Sequence, residues 1–153
     1  MRRLVYHILV LAALLGLLVS CGQSLSGTSN ISGIVTAPAG ADITGTTVFA
    51  CYDGSVSCDR LADTTLTSTG SSSPYRLDSL PQGSYAVIAI KTSNENGEPG
   101  PGDLYGYFGL SEGAPILVTP PQTNVNIEML VFTENDSLQS LPETLRQAIT
   151  EAQ

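Results

Sequence analysis

The stretch with the most chemistry in its spacing is "KTSNENGEPGPGD", Lys91 to Asp103. Oxygen-bearing side chains fall on alternate positions, Thr92, Asn94 and Asn96, and Gly97 stands where a cation loop must bend. Glu98 follows at the position that offers a backbone carbonyl, and Asp103 closes the run with a carboxylate. Laid on a twelve-residue loop register, these are the first, third, fifth, sixth, seventh and twelfth positions of an oxygen cage for calcium. Only Asp103 is a charged side-chain ligand in that scheme. The site would therefore be weak, in the ~10⁻⁴–10⁻³ M range of extracellular modules. The same letters also spell a long hairpin loop, because Asn96-Gly97 and Pro99-Gly100 are turn formers. Both readings stand.

A second constellation is aromatic. Tyr105, Tyr107 and Phe108 cluster in "DLYGYFG", where Tyr105 and Tyr107 would offer a sugar-stacking surface. Against it, the chain has no tryptophan, and alternation along a strand sends Leu104 and Phe108 into a core. Enzyme chemistry has little to work with. The sole histidine, His7, lies in an N-terminal apolar run, so the mature chain cannot assemble a Ser-His-Asp or Cys-His pair or a histidine zinc site. Acidic pairs for glycoside hydrolysis would have to come from scattered turns. The expectation is a non-catalytic protein with no cofactor beyond a weak calcium ion.

That apolar run is itself informative. Arg2 and Arg3 precede "LVYHILVLAALLGLLV", Leu4 to Val19, in the order of a secretory leader. It closes in "LVSC", Leu18 to Cys21, which resembles the lipobox of bacterial lipoproteins. The resemblance implies cleavage before Cys21 and diacylglycerylation of its thiol. It also implies export with a lipid anchor on the cell envelope, in the outer membrane of a Gram-negative cell, since Gly22 and not aspartate follows the cysteine. Several acyl chains hold a protein on a bilayer almost irreversibly. "GQSLSGTSN", Gly22 to Asn30, has the small polar composition of a flexible tether. Residues 1–20 are thus read as signal peptide and 21–30 as tether.

With the leader removed, four basic residues remain against fourteen acids, a formal charge of −10. Nucleic acid is excluded as a partner by sign. The partners left are the membrane, through the anchor, and an envelope protein or glycan. In an exported chain disulfides persist. Cys51 and Cys58 enclose a six-residue loop carrying the turn pair Asp53-Gly54, and a bridge there would contribute roughly 2–3 kcal/mol.

The elements that must position these residues read as strands. "ISGIVTA" (31–37), "TTVFACY" (46–52), "DRLADTTLTS" (59–68), "YRLDSL" (75–80), "SYAVIAIK" (84–91), "LYGYFGL" (104–110), "PILVT" (115–119) and "TNVNIEMLVF" (123–132) are short, apolar-alternating and separated by turn residues. Seven to eight strands without alternating helices predict an all-β two-sheet sandwich. "G-x-V" in the first strand, "GTTVFAC" and above all "YRLDSLPQGSYAVIAI" resemble the transthyretin-like (prealbumin-like) sandwiches of bacterial surface proteins, the carboxypeptidase regulatory-like domains grouped with carbohydrate-binding-like folds. The resemblance covers residues 31–132 and rests on fold positions, Tyr75, Leu77, Leu80, Pro81, Gly83, Tyr85 and Val87. It implies a fold and no ligand. Residues 133–153 form a tail in which "SLPETLRQAITEAQ" predicts a short helix opened by an Ser140–Glu143 capping box. The reading is a surface lipoprotein with a structural or ligand-binding domain, the alternative being a carbohydrate-binding module.

Overall fold

The computed structural model describes residues 29–53, 58, 60–93, 100–134, 136, 143 and 146. They form an all-β domain of seven strands: β1 (Ile31–Thr36), β2 (Thr47–Tyr52), β3 (Arg60–Thr65), β4 (Ser72–Leu77), β5 (Tyr85–Lys91), β6 (Leu104–Tyr107) and β7 (Ile127–Val131). Their order across the sheet is β3-β2-β5-β6-β7-β1-β4. Every pairing is antiparallel except β1 with β7, which run parallel.

Where alternation predicts two separate sheets, the ladder is continuous, because β7 is paired on both sides. Its first half meets β1 through Val35↔Ile127 and Thr36↔Glu128; its second half meets β6 through Leu104↔Val131 to Gly106↔Met129. Asn126 extends the short parallel seam, its Oδ1 accepting the Ile34 N–H at 3.0 Å. The sheet curls until its two edge strands, β3 and β4, come near each other. Between them lies a cleft of about 380 Å³ lined by Thr64, Leu66, Ser73 and Tyr75 among others.

Inside the curl, one face of the strands meets in a single core, to which β3 adds only the partly buried Ala62. Ile31, Val35, Val48, Leu77, Val87, Ile127 and Met129 belong to it. Large side chains buried this completely contribute about 1.5–3 kcal/mol each. β5 has no polar face, and all of Tyr85 to Ile90 is buried. Its other face joins a second, outer cluster with Phe49, Cys51, Ile88, Ile90, Tyr107 and Phe132. The Arg60 guanidinium lies 4.1 Å over the Phe49 ring. "PILVT" makes only one bridge, Tyr85↔Val118. Its Ile116 and Val118 amides donate to Phe108 and Tyr85, and Pro115 before and Pro120-Pro121 after bound the segment so that pairing stops short of an eighth strand.

Two tyrosines fasten the fold. Tyr75 lies across Gly33, its register partner, and donates to the Val125 carbonyl at 2.6 Å. A Cβ on Gly33 would stand 2.0 Å from that same carbonyl oxygen, so only glycine fits. Tyr85 donates to the Pro81 carbonyl at 2.8 Å and ties down the "PQG" turn. Cys51 and Cys58 are disulfide-bonded, with Cα atoms 4.8 Å apart.

Both open edges are blunted. β3 carries a bulge at the Ala50/Cys51 register shift. Opposite Pro74 of β4, Ile34 of β1 turns its N–H toward Asn126, so the Ile34–Pro74 pair exchanges no hydrogen bond and Pro74 presents its ring nitrogen to the edge. Of the expected C-terminal helix, Glu143 and Arg146 are helical and ion-paired; its other residues lie outside the described set.

The strand directions give the domain two ends. At the near end the chain enters: Ser29 accepts the Leu80 N–H and Asn30 the Gln122 N–H. The disulfide hairpin, the 78–84 turn and the 108–124 segment gather there. At the far end are the 37–46 loop, the 66–71 loop and the Lys91–Asp103 loop.

Candidate functional site

The far end holds a cleft of about 240 Å³ whose polar lining is Asp42, Lys91, Ser93 and Asp103, with Leu104 and Val131 as apolar wall. Each polar residue is fixed by the loop it belongs to. Asp42 begins an Asx turn: its Oδ1 accepts the Thr44 N–H at 3.2 Å and the Thr44 hydroxyl at 3.0 Å. The same oxygen takes the Gly70 N–H at 2.8 Å, which locks the 37–46 loop to the 66–71 loop. These donors, Gly70 first, hold the Asp42 carboxyl below its ordinary value, and nearby Lys91 adds to the effect. Lys91, at the end of β5, donates from Nζ to the Asp42 carbonyl at 2.5 Å.

Asp103 stands one residue before β6 and is buried at 3 % exposure. Its Oδ1 accepts the Ser93 N–H and hydroxyl, both at 2.7 Å, and its Oδ2 accepts the Gly100 N–H at 2.7 Å. Its backbone is engaged as well, donating to the Gly100 carbonyl and accepting from Phe132. Gly102, at φ 96°, gives the backbone freedom for that turn. The carboxylate therefore closes the loop from within, as a turn-capping side chain does.

This arrangement bears directly on the cation reading. Asp103, the one charged ligand of the calcium register, already accepts three short hydrogen bonds, two on Oδ1 and one on Oδ2. Thr92 is half-buried just beyond β5. Asn94, Asn96 and Glu98 lie outside the described residues. Among the described residues no group of three or more His, Cys, Asp or Glu side chains gathers at one point. The described part of the loop is a hydrogen-bonded turn closed by Asp103.

The tyrosine pair occupies the sheet's outer face. Tyr107 is 3 % exposed within the outer cluster, and half-buried Tyr105 packs edge-on to Phe132 with ring centroids 6.0 Å apart. Burial raises both hydroxyls above the ordinary tyrosine value, with Asp136 adding to it at Tyr105. Tyr107 offers no open ring for a sugar to stack on. Its neighbours explain why: Leu104 and Phe108 face the main core as alternation requires, but the opposite face is covered too.

Sequence reasoning singled out Asp103 and the lysine-led loop but missed Asp42. The signal was present in "DIT", an aspartate two residues before a threonine, the pattern of an Asx turn. Lys91 and Asp42 are 49 positions apart, and no local pattern announces their meeting. No protein-family model matches the chain, and neither a curated protein nor a solved structure does.

Proposed function

We propose that this chain is an exported lipoprotein, acylated at Cys21, whose transthyretin-like β-domain is non-catalytic and presents its far-end loops to a partner or ligand in the cell envelope. The observation that carries the proposal is the polarity of the domain. The chain enters from the "LVSC" side at Ser29, and the Asp42–Lys91–Asp103 cleft opens at the other end of the strands. A tether at the near end would leave that cleft facing outward. The two wings of the curled sheet, β4–β1 and β2–β5, share one core, which supports the transthyretin-like reading. The cleft's polar groups pair with one another, a serine hydroxyl with a carboxylate and a lysine with a carbonyl, so its shape is held before any ligand arrives. With Tyr107 buried, the glycan-binding alternative would have to use the far-end loops instead of the tyrosines.

The test is acylation. Cells expressing the full chain and fed labelled palmitate should yield a labelled protein in the membrane fraction. Cys21→Ala should be unlabelled and should leave that fraction. An unlabelled wild-type protein, or a substituted one that fractionates unchanged, would overturn the proposal.

A further inference from the structure

Seven large apolar side chains are exposed on the described surface, and four of them, Tyr52, Leu61, Ile116 and Leu117, belong to the near end. Tyr52 ends β2, Leu61 is second in β3, and Ile116 and Leu117 precede the Val118 bridge to Tyr85. Each is between 38 % and 44 % exposed. Ile34 sits along β1, and only Leu130 and Val131 lie at the far end.

Tyr52, Tyr85 and Val118 stand side by side in adjacent segments, and the Tyr52 and Tyr85 ring centroids are 5.7 Å apart. The same end receives the chain. Ser29 and Asn30 dock between Leu80 and Gln122, so Cys21 is eight residues away. Covalent geometry limits that reach to about 29 Å, little more than the ~23 Å length of a seven-residue strand such as β5.

We propose that the near end is a membrane-contact surface: Leu117, Ile116, Leu61 and Tyr52 rest on the lipid headgroup region once Cys21 is anchored. The proposal rests on acylation at Cys21 and adds the face that the anchored domain turns to the bilayer. Amphipathic and apolar side chains at such a boundary gain from entering it, and the anchor removes the cost of bringing the domain there. The near end is not basic. Asp53, Glu112 and the Arg76–Asp78 ion pair lie on it, so the surface it fits is zwitterionic and not anionic.

The experiment uses the full-length lipoprotein in phosphatidylcholine vesicles. The chain has no tryptophan, so Leu117→Trp and Leu130→Trp each place one reporter, at the near and the far end. With brominated phosphatidylcholine, Leu117→Trp should lose most of its emission and Leu130→Trp should keep it. Equal quenching of both, or quenching of the far reporter alone, would overturn the proposal. Hydrogen exchange of the unsubstituted lipoprotein asks the same question without a variant. Slower exchange at residues 113–118 than in soluble Cys21→Ala protein supports it, and unchanged exchange overturns it. If the wild-type protein fails to float with the vesicles, or Cys21→Ala floats equally well, the anchor reading itself has failed and the contact surface falls with it.

Discussion

One carboxylate oxygen of Asp103 holds both the amide and the hydroxyl of Ser93 at 2.7 Å, across the ten residues that separate them. This pair sets the shape of the far end. Asp103→Ala removes three hydrogen bonds to a buried carboxylate, at a cost of about 2–3 kcal/mol. At ~4–8 °C per kcal/mol for a domain of this size, the thermal midpoint should fall by about 8–24 °C. Millimolar calcium should leave the wild-type midpoint where chelator leaves it. A calcium-dependent rise that Asp103→Asn abolishes would restore the cation site.

Asp42 predicts a dependence on pH. Its carboxyl is held low in the folded state, chiefly by the Gly70 N–H. The unfolded chain therefore binds the proton more readily, and ionised Asp42 favours folding. That contribution is fully present above the ordinary aspartate range and disappears as the pH falls through the lowered folded value. Urea midpoints of wild type and Asp42→Asn should thus differ most near neutral pH and converge in strong acid. A gap that stays constant with pH would show that the carboxylate's charge is irrelevant.

Thr46 is fully buried, and its hydroxyl has no hydrogen-bond partner among the described residues. Alternation along β2 points it inward with Val48 and Ala50. A buried unpaired hydroxyl is costly, and valine has nearly the same shape. Thr46→Val should stabilise the domain by about 1 kcal/mol, seen as a higher urea midpoint with an unchanged slope. A lower midpoint would mean the hydroxyl is satisfied.

The contact of Gly33, Tyr75 and Val125 should be the most sensitive to added atoms. Gly33→Ala places a methyl group against the Val125 carbonyl and the Tyr75 ring, and overpacking of this kind costs about 1–3 kcal/mol. Tyr75→Phe removes one buried hydrogen bond, worth about 1 kcal/mol. Because both changes act on the same carbonyl, the double variant should cost less than the two single losses combined. Strict additivity in chemical denaturation would separate the two effects.

How far the sequence anticipates these details depends on range. The unbroken apolar run of "YAVIAI" announces a strand buried on both faces, and β5 is one. The tight turn at Pro81–Gly83 and the tyrosine two residues beyond it are local chemistry and are legible. The closure of the sheet is not, because alternation along β1 and β7 says which face is apolar and nothing about which strand lies alongside. The seam depends on an asparagine amide, Asn126 to Ile34, 92 positions apart. The outer cluster is the other hidden feature. The spacing of Tyr105 and Tyr107 places them on one face, but Phe49, Ile88 and Phe132 arrive from three other segments to cover it.

The parallel seam also decides how the domain bears load. β1 begins at the near end, where the chain enters, and β7 finishes at the far end, where it leaves. Tension between those points drags the two neighbours lengthwise past each other. The Ile34–Asn126 contact, the Ser32 links to Gln122 and Val125, and the β1–β7 ladder then share the strain together instead of opening one after another as a zipper would. A pull on this molecule meets a shear clamp, stiff up to a threshold and then yielding at once.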